Sequence, residues 1–417
     1  MTVAGRLVSL TTRGRCLLAG GIATAACSVL LDERDLLRLG VFTAALPLLA
    51  ILVTTRVGRA LQVRREMPDR LQVGTTATVR LHCAGGPAVG PVQLSEALSD
   101  ALGGATSSPE FTLHRPAARS EVVLEYPIRP ILRGRHHVGP LSARSSDPLG
   151  LVESYREVAG PDAVLVLPRI VPLHGVPPAV GSGDGASGTT ASRQGTGTSD
   201  VLIRPYRQGD DLRRVHWRST ARHDELMVRM EERPWRGSVT VLLDRRDSAH
   251  RGHGPGSSLE YAVSLAASVC VHLVHRGEAV RMVTEDGADV VTGAVEAPGT
   301  GGHTSLDSVL DALAALRPSA RSTLTGPALG GDDAVLAVLG ALGPDDPEAL
   351  LARYPHPGHA VLLDVATWLP GARSRTGAPP AATALRRAGW LVTVATATTP
   401  PQQVWESLVA TARSVRS

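Results

Sequence analysis

Two apolar runs near the start of the chain constrain its fold more than anything that follows. The first is Cys16 to Leu31 (CLLAGGIATAACSVLL). The second is Leu36 to Thr54 (LLRLGVFTAALPLLAILVT), with Arg38 near its beginning. A bilayer core takes about 20 apolar residues per helix, and about 17 suffice. A cleaved signal peptide would account for the first run alone, with Arg13 and Arg15 ahead of an apolar centre. The second run follows after only Asp32, Glu33, Arg34 and Asp35, and a helical hairpin with a tight polar turn explains both together. Pro47 is compatible with a kinked membrane helix. Arg6, Arg13 and Arg15 precede the hairpin and Arg56, Arg59, Arg64 and Arg65 follow it, whereas its turn holds one arginine against three acids. The positive-inside rule then places both ends in the cytoplasm. The expected location is the inner (plasma) membrane, multi-pass, with the soluble domains cytoplasmic and residues 1–60 forming the tail and two transmembrane helices.

The remaining chain is long enough for two or more domains. Of 417 residues, 43 % are hydrophobic and 20 % charged, so most of it can bury a core. Aromatics are only 3 %, which argues against an aromatic-stacking platform for nucleic acid or glycan. There is no lysine, so a lysine nucleophile, a P-loop lysine and a Schiff base are excluded. Cys16 and Cys27 lie in one apolar run, and Cys83 and Cys270 stand far apart without metal-ligand spacing, so neither a disulfide framework nor a zinc site is expected.

Residues 61–171 read as a β-rich, sandwich-like domain. LQVGTTATVRLHC, EVVLEYPI, HHVGPLSARS and AVLVLP are expected strands, separated by polar or Gly/Pro breaks. In Asp147-Pro148-Leu149-Gly150 the proline sets a turn and the glycine can take a positive φ. His136 and His137 would point to opposite faces of a strand and so make poor metal co-ligands. Residues 172–199, rich in Gly, Ser and Thr without periodicity, read as a flexible linker.

Residues 200–237 form an arginine-aromatic segment in which Arg204, Tyr206, Gly209, Asp210, Asp211, Arg213, Trp217, Ala221 and Arg222 interleave. Asp210 is a candidate helix cap, with Arg213 and Trp217 on one side of the short helix that follows. The mixture suits Arg–carboxylate pairs around a Trp. It could lock the segment onto a neighbouring domain, bind an anion, or dock a protein partner. Alternating Arg and Asp supply neither a carboxylate cluster for Mg²⁺ nor a phosphate cradle.

Residues 238–417 alternate in kind. SVTVLLD, AVRMVTED, HAVLLDVA and WLVTVATA read as strands. SSLEYAVSLAASVCVHLVHRG, TSLDSVLDALAALRP, AATALRRAG and PQQVWESLVATARSV read as helices, the second capped by Ser305 or Thr304 and the last starting near Pro401. Apolar strands alternating with amphipathic helices indicate a doubly wound, mainly parallel α/β sheet, with sites at the carboxyl ends of its strands.

The pattern R-x-Y-x-x-G-D-D-x-R-x-x-x-W-x-x-x-A-R from Arg204 to Arg222, followed by ELMVR at Glu225 to Arg229, resembles the signature of the bacterial domain of unknown function 58 family. The hairpin, the R-G-x-x-x-x-G-P and D-P-L-G-L motifs and the α/β region agree with it. The resemblance implies a membrane-associated protein with a von Willebrand factor A-like region, working alongside a MoxR-type AAA ATPase, with no established enzymatic activity. It also implies a place to look for metal. Von Willebrand A domains hold a divalent cation with a D-x-S-x-S loop after their first strand, here Asp244-Arg245-Arg246-Asp247-Ser248. Asp244 and Ser248 match the outer positions, with Asp364 a counterpart on a later strand, but Arg246 replaces the middle serine. A guanidinium there opposes Mg²⁺ and could pair with Asp244. The expectation is a non-catalytic, membrane-anchored interaction module without cofactor. The rival is a hydrolase using the signature, with His216 and His223 as the histidines to test, although no GxSxG, HExxH or HRD loop is present.

Overall fold

The computed structural model describes residues 7–57, 61–84, 91–103, 108–113, 121–177, 201–205, 227–231, 238–293, 295, 305–328, 334–371 and 379–414. They fall into two compact units, Met1–Arg169 with Leu313–Leu316, and Ile170–Ala312 with Arg317–Ser417.

The first unit opens with β1 (Leu7–Leu10), then α1 (Thr12–Leu31) and α2 (Arg34–Val57). These helices are the expected hairpin, joined at Asp32, whose φ of 49° turns the chain. Both are long and apolar enough to cross a membrane and are largely exposed on the molecule. They approach most closely where Gly21 and Gly40 meet: a Cβ on Gly21 would lie 2.6 Å from the Ala44 nitrogen, and one on Gly40 would lie 2.6 Å from the Ala25 nitrogen. Small residues at such a crossing let two apolar helices pack backbone to backbone.

The strands follow: β2 (Gln62–Glu66), β3 (Arg70–Gln72), β4 (Ala77–Ala84), β5 (Val92–Leu98), the single turn α3 (Asp100–Gly103), β6 (Glu110–Leu113), β7 (Val122–Ile128), β8 (Gly134–Ser146), β9 (Val152–Ala159) and β10 (Asp162–Leu167). They form a three-stranded sheet, β2-β4-β7, and a larger sheet on the path β1-β9-β8-β10-β3, with β5 and β6 joined through β8. Alternate residues of both sheets meet in one core, among them Val79, Leu81 and Cys83 from β4, Ile128 from β7, Leu94 from β5, Leu141 from β8 and Val164 from β10. This is a sandwich held by period-two burial. The run LQVGTTATVRLHC, expected as one strand, is two. Gly74, at φ +85°, turns the chain between β3 and β4, which send their residues to different sheets. His136 and His137 sit opposite Val164 and Ala163 on β10, with His137 exposed.

Arg65 of β2 ties the two sheets together. Its Nη2 donates to Glu96 Oε1 of β5 at 2.5 Å, and its Nη1 donates to the Gly160 carbonyl at 3.0 Å and to Asp162. The Tyr126 hydroxyl of β7 donates to the other Glu96 oxygen at 3.1 Å. The Arg65 and Glu96 side chains are 1 % and 0 % exposed. A charge buried this deeply persists only when its partners are in place.

In the second unit, β11 (Val201–Pro205) pairs antiparallel with β12 (Met227–Glu231). The sheet comprises β13 (Ser238–Leu243), β14 (Ala279–Thr284), β15 (Ala334–Leu339), β16 (His359–Leu363) and β17 (Leu391–Ala395), all parallel, in the order β14-β13-β15-β16-β17. Bridges Val280↔Val295 and Val283↔Asp289 add an antiparallel edge to β14. The helices are α4 (Ser258–His275), α5 (Leu306–Ala315, its last residues from Leu313 on grouping with the first unit), α6 (Asp346–Arg353), α7 (Pro380–Arg387) and α8 (Pro401–Ser414). Ser305 caps α5, accepting from the Ser308 N–H at 3.2 Å, and Pro401 is the first residue of α8. Leu350 of α6 and Leu385 of α7 share a core with Leu242, Ala337 and Leu362 of the sheet. The alternate strand residues, such as Val241 and Val338, are equally buried, and α4 lies along β13, β14 and β15.

Two features of this unit differ from the sequence reading. The central strand β15 and helix α6 were not expected. AVLAVL is a continuous apolar run, and periodicity alone cannot assign such a run to strand or helix. Of the segment expected as a flexible linker, residues 178–199 lie outside the described residues, whereas the chain leading into it is held by hydrogen bonds. Val171 and Leu173 are buried, the Val171 N–H donates to Ser268 Oγ at 3.0 Å, and the Gly175 carbonyl accepts from Trp405 Nε1 at 3.1 Å.

Candidate functional site

The chain enters the parallel sheet at β13, runs to β14 on one side, and returns past β13 to β15 on the other. Loops leaving β13 and β15 therefore diverge at their carboxyl ends, and the gap between them is where doubly wound sheets place ligands. Asp244 begins the loop after β13, anchored by its N–H to the Val338 carbonyl of β15 at 3.0 Å.

Arg246 fills this gap. Its Nε and Nη2 grip the Asp244 carboxylate side-on, each at 2.9 Å. Its Nη1 reaches Asp346 Oδ2 at 2.9 Å and the Ser322 carbonyl at 3.1 Å, and Nη2 also reaches the Ala341 carbonyl at 3.4 Å. A guanidinium has five N–H donors, and all five have an acceptor. Arg246 is 1 % exposed and Asp244 is fully buried. Burial alone would lower the Arg246 pKa, but the bonds to Asp244 and Asp346 outweigh it and hold the charge more firmly than usual. Asp346 is positioned in turn by the Gly343 N–H at 2.7 Å.

His250 completes the loop's inner wall. Its Nε2 lies 2.8 Å from the Asp244 carbonyl, so that nitrogen carries the proton. The Ser258 hydroxyl, which accepts from the Arg251 N–H at 2.9 Å, donates to Nδ1 at 3.0 Å. Burial lowers the His250 pKa, in keeping with a neutral ring. Outside the plug, Arg245 lies 3.3 Å from the buried Glu285 carboxylate, and Arg321 lies 3.4 Å from Asp286.

The three residues expected around a divalent cation are not gathered on one ion. Both Asp244 oxygens face Arg246, Ser248 is exposed, and Asp364 follows β16, two strands away from β13. No group of three His, Cys, Asp or Glu side chains suited to a metal occurs among the described residues. A site centred on a fully bonded guanidinium does not fit Mg²⁺, which requires an oxygen cage.

Of the signature, Arg204 lies on β11 opposite Val228, while Tyr206, Gly209, Asp210, Asp211, Arg213, Trp217 and Arg222 fall outside the described residues, as do His216 and His223. Sequence reasoning missed Asp346, the second carboxylate on Arg246. Its one signal was Asp346-Pro347 opening a helix. It also missed a cavity of about 520 Å³ beside the plug, at the carboxyl ends of β15 and β16. Leu342, Pro344, Pro347, Leu363, Pro380 and Ala384 line it together with Asp364.

Residues 202–335 match the family model described as Protein of unknown function DUF58. That stretch takes in the signature, β13 and the Asp244–Ser248 loop. A curated Bacillus subtilis relative, uncharacterized protein YeaD, is 25 % identical over 162 residues, 39 % of this chain and 39 % of the relative. The match thus spans well under half of that relative's length. Among solved structures, the chain is similar to the CARDB domain of a Pyrococcus furiosus protein in complex with di-metal ions (16 % identity, 26 % of this chain and 87 % of that one, TM-score 0.18). It is also similar to a cohesin module from a Clostridium perfringens glycoside hydrolase (13 % identity, 26 % of this chain and 96 % of that one, TM-score 0.19). Overlaps this weak carry no argument about chemistry.

Proposed function

We propose that the protein is a membrane-anchored, non-catalytic interaction module, held in the inner membrane by α1 and α2 with its soluble units in the cytoplasm, and that it docks a MoxR-type AAA ATPase in a chaperone-like or envelope-related process. The observation that carries this reading is the Arg246 plug. At the place where a doubly wound sheet ordinarily receives a ligand, a resident cation satisfies every donor on buried acceptors. Such a site is built to be rigid and metal-free. Next to it, the apolar cavity at β15 and β16 offers room for a partner's apolar side chain, the kind of pocket that anchors an interface. The strand order with its antiparallel edge and the carboxylate-bearing loop after β13 support a von Willebrand A-like unit whose metal position has been closed by arginine. The resemblance of the Arg204–Arg222 signature supports a MoxR-type ATPase as the partner.

The test is a pull-down of the purified MoxR-type ATPase by the full chain in nanodiscs, with Ala384→Trp, which fills the cavity, as the control. The reading expects retention of the ATPase by the native chain and its loss with the filled cavity. No retention by the native chain would remove the ATPase from the proposal. Turnover of a small-molecule substrate, abolished by His216→Ala, would replace it with the hydrolase reading.

A further inference from the structure

We infer that the turn Asp147–Leu151 is a third membrane contact, with Leu149 seated at the boundary between headgroups and acyl chains of the leaflet that α1 enters, and with Arg13 and Arg15 on phospholipid phosphates. This rests on the reading of α1 and α2 as membrane spans.

The argument begins with how α1 is attached. Strand β1 is paired with β9, Leu10 opposite Val152, and only Thr11 separates it from the helix. The Thr11 N–H donates to the Leu151 carbonyl at 2.9 Å and its hydroxyl to the Gly150 carbonyl at 2.7 Å. The same Thr11 oxygen caps α1 by accepting from the Gly14 N–H at 3.1 Å. Gly14 is buried against the turn, since a Cβ there would lie 2.2 Å from the Leu151 oxygen. The first helical turn and the 147–151 turn therefore form one piece, with no slack between sandwich and hairpin.

The turn itself is rigid. Asp147 is buried, and its carboxylate accepts from the N–H groups of Leu149 at 3.1 Å and of Leu151 and Val152 at 2.6 Å each. Gly150, at φ +68°, closes the turn with its N–H on the Asp147 carbonyl at 3.0 Å. What this bracing displays is a leucine. Leu149 is 61 % exposed.

Its level along α1 is fixed by the same bonds. Gly14 precedes the apolar run at Cys16 by two residues, about 3 Å of helix rise. If the apolar run lies in hydrocarbon, the turn lies in the headgroup zone. There an apolar side chain can sink about 5–10 Å towards the acyl boundary. Arg13 and Arg15 are exposed, and Arg13 Nη1 comes within 3.9 Å of the position a Gly150 Cβ would take. Two guanidiniums beside the turn match the anionic charge of phosphate headgroups.

The test places an environment-sensitive nitrobenzoxadiazole label on the full chain reconstituted in phosphatidylcholine vesicles with and without phosphatidylglycerol. One protein is labelled at Leu149→Cys with Cys16 and Cys27 changed to serine, and the other at native Cys27 with Cys16 changed to serine. Cys83 and Cys270 are buried and stay unlabelled, and Leu149 is exposed enough that its substitution disturbs no packing. The inference expects blue-shifted emission and quenching by brominated lipid at both positions, with quenching at 149 lost when Arg13 and Arg15 are both changed to serine in vesicles containing phosphatidylglycerol. A quenched Cys27 with a water-like label at 149 would overturn the third contact and leave the spans intact. Water-like emission at both would overturn the spans as well.

Discussion

Two arginines, one in each unit, are almost completely buried and face carboxylates, yet their surroundings differ. Arg65 crosses between the two sheets of the sandwich. One partner, Glu96, is fully buried, and the other, Asp162, is 57 % exposed. Arg246 plugs a gap within one sheet, and the side chains of both its carboxylate partners are at most 8 % exposed. The first is a seam open to water on one side, while the second is a closed cage in the position of a ligand. A buried ion pair adds little stability over a hydrophobic replacement but is costly to break. Its value lies in specifying an arrangement: sheet against sheet in one unit, loop against loop in the other.

The largest effect should come from breaking the seam. Glu96→Ala leaves Arg65 with only the half-exposed Asp162 for its charge and strips the buried Nη2 and the Tyr126 hydroxyl of their acceptor, which should cost about 3 kcal/mol, read as lost hydrogen-exchange protection in β4 and β7. The paired change Arg65→Met with Glu96→Leu should recover most of it. If the pair is as damaging as the single change, the seam is not held by charge.

Arg246→Ser should cost about 3 kcal/mol by leaving Asp244 and Asp346 facing each other. It should also free both carboxylates for a cation, so that the thermal stability of the variant rises with Mg²⁺. Stabilisation of the native chain by Mg²⁺ would contradict the plug. The readout is intrinsic fluorescence, because Trp368, Trp390 and Trp405 all belong to the α/β unit.

Acid should separate the units by another route. Burial pushes His359, at the start of β16, down to about 4 from an ordinary 6.5. Between those values the unfolded chain binds a proton at this position and the folded chain does not. Its contribution to stability is therefore complete above about pH 6.5 and is lost as the pH falls towards 4, up to about 3 kcal/mol. His250, also lowered, acts in the same direction. His359→Gln should flatten the tryptophan-reported pH dependence, and an unchanged profile would assign it elsewhere. The smallest effect is expected from Ser257→Ala, which removes the cap that accepts from the Glu260 N–H at the start of α4. The cost is about 1 kcal/mol, confined to the α/β unit, and equal destabilisation of the sandwich would mean that the units unfold together.

Legibility tracked sequence separation. The Arg246–Asp244 pair spans two residues, and the loop that holds it stood out in the sequence. Asp346 is 100 residues from Arg246, and Glu96 is 31 from Arg65, and neither was foreseen. Strands with a clean alternation or a following helix were visible, as in EVVLEYPI and HAVLLDVA. The uninterrupted AVLAVL of β15 was not, because a strand buried on both faces has no polar face to mark it.

Three helices among the described residues draw the remaining line. Thr12–Leu31, Arg34–Thr55 and Ser258–His275 are each long and apolar enough for a bilayer. Composition by itself determined that these segments are driven to leave water, because most of their side chains are apolar. Where they go was decided only by the tertiary structure. The first two pack mainly on each other and remain 17 % and 11 % buried, whereas the third is 72 % buried in its own unit, where β13, β14 and β15 lie along it. Hydrophobicity sets the drive to be covered. The surface that does the covering is assembled from residues far away in the chain, and only the folded arrangement brings them together.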